Sequence, residues 1–239
     1  MDRRGAKISR LIAAEEKGVS VKKILLVDDH DLVRLLVRKH IEEQGVYEVV
    51  GEARSGEEAL DFVRNHQTDA VVLDINMPGI GGLETTRILR KRFSRLKIIV
   101  VSVHAEGVVP QKVLELGVHA YLTKASGPAD LLKALDAVAR DDFYIDQKVG
   151  QSAMLRGIRG VSSPLEALTP REFEVMSHIV KGRRVIDIAS SLSRSPKTIS
   201  TLRSRVCDKL GVRTDVELTL LAIRLGLVEC NESLAMAAN

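Results

Sequence analysis

Five polar residues stand at the ends of apolar runs early in the chain. The adjacent carboxylates Asp28 and Asp29 follow KILLV, Asp74 follows AVVL, Ser102 follows KIIVV, and Lys124 follows AYLT. Carboxylates brought together repel, so they must protonate, pair with a cation or bind a metal. Oxygen ligands that leave positions for water suit Mg²⁺. A hydroxyl and an ammonium beside such a cluster suit an added phosphoryl group, whose oxygens the metal and Lys124 neutralise while Ser102 donates a hydrogen bond. Asp74 then has the chemistry of a carboxylate nucleophile that forms an acyl phosphate. Taken singly, each residue has a plainer reading. An Asp ending a strand forms a turn, Asp28 and Asp29 cap a helix whose dipole favours negative charge, and a Lys after a strand is solvated. The conjunction favours the chemistry.

These residues need a scaffold that gathers strand ends. KILLVD (23–28), YEVVGEA (47–53), DAVVLD (69–74), KIIVVSV (97–103) and HAYLT (119–123) are short β-branched runs. Amphipathic segments lie between and after them, near 31–44, 55–66, 82–93, 107–116 and 128–140. Five strands alternating with five helices predict a doubly wound parallel sheet. In such a sheet ligands collect at the carboxyl ends of the strands, at a topological switch point. If the first and third strands are neighbours, three carboxylates meet there.

The motifs LLVDDHDLVR, VVLDINMPGIGGLE, VVSVHAE and AYLTKAS resemble, in order and spacing, the receiver domain of two-component response regulators. The resemblance implies a flavodoxin-like fold and phosphotransfer to Asp74 from a phosphohistidine on a sensor histidine kinase or phosphotransfer domain. It further implies Mg²⁺ held by Asp29, Asp74 and the backbone carbonyl of Asn76, with Asp28 acting through water. Ser102 and Tyr121 become a switch pair: the hydroxyl moves to the phosphoryl group and the ring follows inward. Ala125 stands where many receivers carry Pro, which leaves the isomer of the Lys124–Ala125 bond open. Val103 is bulkier than the residue common after the switch hydroxyl, so it is expected to restrict water and prolong the phosphorylated state.

After Asp142 the pattern changes. Residues 143–164 mix Gly, Ser and Gln as a tether does, with a short helix expected near Val149 to Leu155. From Leu168 onward only helical periods appear, four helices in all. TPRE (169–172) and TDVE (214–217) are capping boxes, and SPKT (195–198) places Ser before Pro at a helix start. In SPKTISTLRSRVCDKL, Ile199, Leu202, Val206 and Leu210 recur at core-facing spacing. Lys197, Thr198, Ser200, Thr201, Arg203, Ser204, Arg205 and Lys209 then face solvent, a set suited to a DNA major groove. A solvated basic face is the plainer reading, and the preceding VIDIASSL helix favours a helix-turn-helix. Residues 166–227 resemble the DNA-binding domain of the NarL/LuxR class, most closely its GacA/UvrY subgroup. That resemblance implies a recognition helix at 197–210, a dimerisation helix at 215–226 and binding to promoter DNA as a homodimer. Leu202 and Asp215 depart from the class, which often has His and Arg there.

Charge divides along the same boundary. Residues 21–146 carry 17 Lys and Arg against 20 Asp and Glu, whereas 147–229 carry 14 against 8. The domains expected are a tail (1–20), a receiver (21–142), a linker (143–164), a DNA-binding domain (165–230) and a second tail (231–239). Cys207 and Cys230 make neither a metal spacing nor a disulfide framework, and no run is long and apolar enough to span a membrane, so a cytoplasmic protein is expected. A phosphatase using an aspartyl phosphate would need an acid where Asn76 stands, and a dinucleotide enzyme a glycine-rich loop where VDDHDLV stands. Beside these rivals, a DNA-binding regulator whose receiver no longer accepts phosphate is the alternative to a phosphorylation-gated one.

Overall fold

The computed structural model describes residues 23–77, 79–159, 163–192, 194–225 and 227. The two expected tails and Cys230 lie outside the described residues. The chain divides into two compact units, with the boundary between Ile158 and Arg159.

In the first unit, β1 (Lys23–Val27), β2 (Glu48–Ala53), β3 (Ala70–Asp74), β4 (Lys97–Ser102), β5 (Ala120–Thr123) and β6 (Tyr144–Ile145) form one parallel sheet in the order β2-β1-β3-β4-β5-β6. Between them run α1 (Asp31–Glu43), α2 (Gly56–Asn65), α3 (Gly81–Arg92), α4 (Val108–Glu115) and α5 (Pro128–Ala139). Every residue of β3 and β5 is buried, and so are four of the five in β1. Strands covered on both faces need continuous β-branched runs rather than alternation, which is the pattern these segments carry.

The sheet has six strands where five were expected. Tyr144 and Ile145 pair with Ala120 and Tyr121, held by Tyr144 N–H on the His119 carbonyl (3.1 Å) and Asp146 N–H on the Tyr121 carbonyl (2.9 Å). Two residues carry no readable period, so only the free edge of β5 makes them a strand. Helix α6 (Gln147–Arg159) follows, longer than the turn or two expected, and Val149 is buried. The start of the expected linker is therefore part of the first unit.

The second unit opens with a 3-10 turn (Pro164–Ala167), followed by α7 (Pro170–Ile179), α8 (Val185–Ser191), α9 (Pro196–Leu210) and α10 (Asp215–Arg224). At Thr169 the capping box is complete: its hydroxyl accepts from Glu172 N–H, and the Glu172 carboxylate accepts from Thr169 N–H. At Thr214 only half forms, because the Glu217 carboxylate takes the amide of Arg213 instead (2.6 Å). Ser195 caps α9, and Gly211 ends it at φ 67°, a left-handed conformation that glycine adopts without strain. Phe173, Met176, Ile188, Ile199, Val206 and Leu218 form its core. No helix among the described residues is long and apolar enough to cross a membrane.

Candidate functional site

The chain runs from β1 outward to β2 and returns to β3 on the other side of β1, so the switch point lies between β1 and β3. Val27 pairs with Leu73, which brings Asp28 and Asp74 to neighbouring strand ends. Asp74 in turn pairs with Val101, setting Ser102 one residue further along the same edge. Lys124 closes the site: its ammonium donates to Asp74 Oδ2 (2.8 Å) and to Asp28 Oδ2 (3.0 Å). Burial by itself would lower the pKa of Lys124, but the hydrogen bonds to the two carboxylates outweigh it and raise the value. The remaining oxygen of Asp74 accepts from Asn76 N–H (3.0 Å). Gly82 lets α3 approach this turn: its amide donates to the Ile75 carbonyl, and a Cβ there would lie 2.3 Å from the Asp74 carbonyl.

Ligand atoms of Asp28, Asp29, His30 and Asp74 lie within 4.8 Å of one another. Asp29 Oδ1 is buried and accepts no hydrogen bond among the described residues, although His30 Nδ1 stands 3.0 Å away. Three carboxylates so close together, one with a buried oxygen that accepts no hydrogen bond, fit a hard cation. Asp28, through its hydrogen bond to His30, and Asp29, through its charge, raise the His30 pKa.

Ser102 is fully buried, and its hydroxyl accepts from His104 N–H (3.2 Å). The Tyr121 ring is also buried, with its hydroxyl donating to the His104 carbonyl (2.7 Å), and burial pushes its pKa up to about 12. The ring thus lies inward, against the turn that follows Ser102. No peptide bond among the described residues is cis, Lys124–Ala125 included.

Two groups near the site were not read from the sequence. Arg34, a buried cation, donates to the Asp28 carbonyl (2.6 Å) and to Glu52 (3.1 Å), and pairs with Asp31. Its spacing to Ile41, the other buried side chain of α1, was the available signal for a cation on a core-facing stripe. Beyond Lys124, Thr123 and Ser126 meet Asp146 through their hydroxyls, a contact across about twenty residues that no local pattern announces. A cavity of ≈ 260 Å³ opens beside the site, lined by Asp28, Asp74 and Lys124 with apolar residues of α1 and α5 such as Val37 and Leu131.

In the second unit, Ile199 and Val206 are buried, and Leu202 and Leu210 half-buried, as their spacing required. Lys197, Thr198, Ser200, Thr201, Ser204 and Arg205 are exposed on α9. Arg203 and Lys209 have work inside the unit: Arg203 Nε donates to Asp215 (2.7 Å), joining α9 to α10. Lys209 reaches Glu172 (2.6 Å) and the Ala167 carbonyl (3.0 Å). Asp215, which departs from the class pattern, is therefore the partner of Arg203.

A family model for the response regulator receiver domain matches residues 24–136, and one for bacterial regulatory proteins of the luxR family matches 166–222. Response regulator UvrY of Escherichia coli (strain K12) is 41% identical over 210 residues, spanning 87% of this chain and 95% of that protein. Response regulator GacA of Pseudomonas syringae pv. syringae (strain B728a) is 38% identical over 211 residues, spanning 87% and 99%. Among solved structures, RcsB from Salmonella enterica serovar Typhimurium, bound to promoter rprA in the presence of phosphomimetic BeF₃⁻, aligns at a TM-score of 0.69. The identity is 27%, with 87% of this chain and 100% of that one covered. A structure of two RcsB dimers bound to two parallel DNAs aligns at 0.56, also at 27% identity, covering 85% and 98%.

Proposed function

Because the chain belongs to the two-component response regulators of the NarL/LuxR class, we propose that it accepts a phosphoryl group on Asp74 from the phosphohistidine of a sensor kinase or phosphotransfer domain. In response it binds promoter DNA as a homodimer and sets transcription, in the cytoplasm where that DNA lies. The observation that carries this reading is the Lys124 ammonium held between Asp28 and Asp74 at the switch point of the sheet.

The step itself is a displacement at phosphorus. A carboxylate oxygen of Asp74 forms the P–O bond as the P–N bond to the donor imidazole breaks, and the imidazole leaves with that electron pair. Asp29, Asp74 and the Asn76 carbonyl would hold Mg²⁺, with Asp28 acting through water. The bound ion would supply neutralisation of the phosphoryl oxygens, and the gathering of the Asp28, Asp29 and Asp74 carboxylates is the observation that supports it. Lys124 keeps its charge at neutral pH and follows the transferred group, while Ser102 donates its hydroxyl proton to a phosphoryl oxygen. In the second unit, α9 enters the major groove with Lys197, Thr198, Ser200, Thr201, Ser204 and Arg205 toward the DNA. Arg203 and Lys209 fix the helix from behind. α10, with Val216 and Leu220 exposed, supplies the dimer contact.

The test compares wild type with Asp74→Asn, each with Mg²⁺ and a small phosphodonor. Wild type is expected to gain mass at Asp74 and at least about tenfold in affinity for duplex DNA, a coupling of the usual allosteric size. The variant is expected to gain neither. Equal DNA affinity in both proteins under all conditions would show that phosphate does not gate binding.

A further inference from the structure

We propose that Asp146 is the joint through which the state of the Asp74 site reaches helix α6, and that the Ser126 hydroxyl is the contact that changes; this rests on Asp74 being the phosphoacceptor. Strand β5 ends at Thr123, and Lys124, Ala125 and Ser126 make the tight turn that follows, closed by Ser126 N–H on the Thr123 carbonyl (3.0 Å). A displacement of the Lys124 backbone therefore carries Ser126 with it. The Ser126 hydroxyl meets Asp146 Oδ2, and the Thr123 hydroxyl meets the same oxygen at 3.2 Å. The two hydroxyls lie 2.8 Å apart. Three oxygen–oxygen contacts share two protons, so one is always without a donor, and the arrangement depends on the charge of Asp146 to hold it. Burial works against that charge, but the hydrogen bonds from Ser126, Lys148 N–H and Thr123 prevail and keep the carboxyl below the usual range.

The other side of Asp146 belongs to α6. Its Oδ1 accepts from Lys148 N–H (2.8 Å) and its carbonyl from Gly150 N–H (2.9 Å), so it caps the first turn of the helix. Its own amide donates to the Tyr121 carbonyl, tying the cap to the strand that carries the switch residue. Val149 is the buried anchor of that turn. The chain leaves the first unit through α6, since the boundary between units falls at Ile158.

An acyl phosphate at Asp74 would put close to two negative charges where Lys124 now meets a carboxylate oxygen. The ammonium then moves toward the phosphoryl oxygens, the turn 124–126 follows it, and Ser126 leaves Asp146. Losing one charge-assisted hydrogen bond loosens the first turn of α6 by about fivefold or more in its opening equilibrium. The Asp74 site thereby acts on the helix that leads to the DNA-binding unit without touching it.

Hydrogen exchange of the full chain over residues 147–155 tests this, with Mg²⁺ and BeF₃⁻ as the probe and its uptake verified by ¹⁹F resonance. Wild type is expected to exchange about fivefold faster there on binding BeF₃⁻. Ser126→Ala is expected to show the fast rate already without the probe and no further change with it. In an Asp146→Asn background, Ser126→Ala is expected to add nothing, which a merely structural serine would not do. Uptake of BeF₃⁻ without a change over 147–155, or a normal response in Ser126→Ala, overturns the joint and leaves Asp74 as acceptor. Absence of uptake by wild type overturns both.

Discussion

The Asp74 carboxylate is almost wholly enclosed, yet it keeps its charge company on three sides: Lys124 on one oxygen, Asn76 N–H on the other, and Asp28 across the ammonium. A second titratable residue at the opposite end of the sheet makes a pH prediction. His119 Nδ1 accepts from Ile98 N–H (3.1 Å), which only a neutral ring can do. Burial, followed by Lys97 and Arg90, lowers its pKa to about 4. An unfolded histidine titrates near ~6.5, so as pH falls the unfolded chain takes the proton first. The stabilisation is therefore complete above about pH 6.5 and is lost progressively between there and about 4. The thermal midpoint of the first transition in the full chain should fall across that window more steeply in wild type than in His119→Asn. The difference is on the order of 1 kcal/mol after allowing for solvent screening at a half-buried site. Near Asp74, Val103 follows Ser102 and keeps 59% of its surface exposed, so it stands over the carboxyl end of β4 rather than in the core. Val103→Ala should shorten the life of the phosphorylated protein by about two- to fivefold if the side chain holds water back, a difference of roughly 0.5–1 kcal/mol in the barrier. Decay of phosphoprotein on a phosphate-affinity gel would measure it, and slower decay in the variant would contradict it.

Among the elements, α9 shows how one basic helix divides its cations between two tasks. Arg205 is exposed, whereas Arg203 is committed to Asp215 and links α9 to α10. Each phosphate contact contributes close to one unit of slope in log K against log salt. Arg205→Ala should therefore weaken DNA binding and reduce that slope by about one, with stability unchanged. Arg203→Ala should instead lower the unfolding midpoint of the second unit and leave the slope close to wild type. Filter binding across a salt series, with a thermal melt of each variant, separates the two. The capping boxes make a related point: TPRE and TDVE have the same local signature, but only Thr169 receives its reciprocal bond. At Thr214 the glutamate finds the Arg213 amide one residue earlier.

At the scale of the whole molecule, the acidic first half and basic second half follow the division into two units, and each is expected to meet its own partner. The face of α1 beside the Asp74 site is the surface on which a phosphodonor is expected to dock. Leu32, Leu35 and Leu36 on it are 67, 60 and 58% exposed, and Leu36 also lines the cavity that reaches Asp74. Adjacent exposed leucines mark an interaction surface more often than chance exposure does. Leu35→Glu with Leu36→Glu should cut phosphotransfer from a partner kinase by about tenfold or more, the loss of a central apolar anchor. Labelling by a small phosphodonor, which needs no docking face, should be unchanged. Loss of both activities would mean that the substitutions damaged the site itself.

The sequence by itself determined five of the six strands, the helices that alternate with them and the five residues at the acidic edge. Continuous β-branched runs, helical periods, caps and turns are local, and local chemistry is sufficient to end a strand on Asp74 or start a helix at Thr169. It also determined which residues of α9 turn inward, since a period of 3.6 places Ile199 and Val206 on one face. Tertiary structure alone decided which ends meet. The neighbouring of β1 and β3 comes from burying their faces together, and it brings Asp28 to Lys124 across 96 positions of chain. Tertiary structure likewise made β6 a strand, turned Arg34 inward beneath the Asp28 carbonyl, joined Ser126 to Asp146, and gave Arg203 and Lys209 carboxylate partners on other elements. The physical reason is common to these cases. A side chain's period says which way it points, but the hydrogen-bond partner that fixes its role lies on another element, and only packing chooses that neighbour.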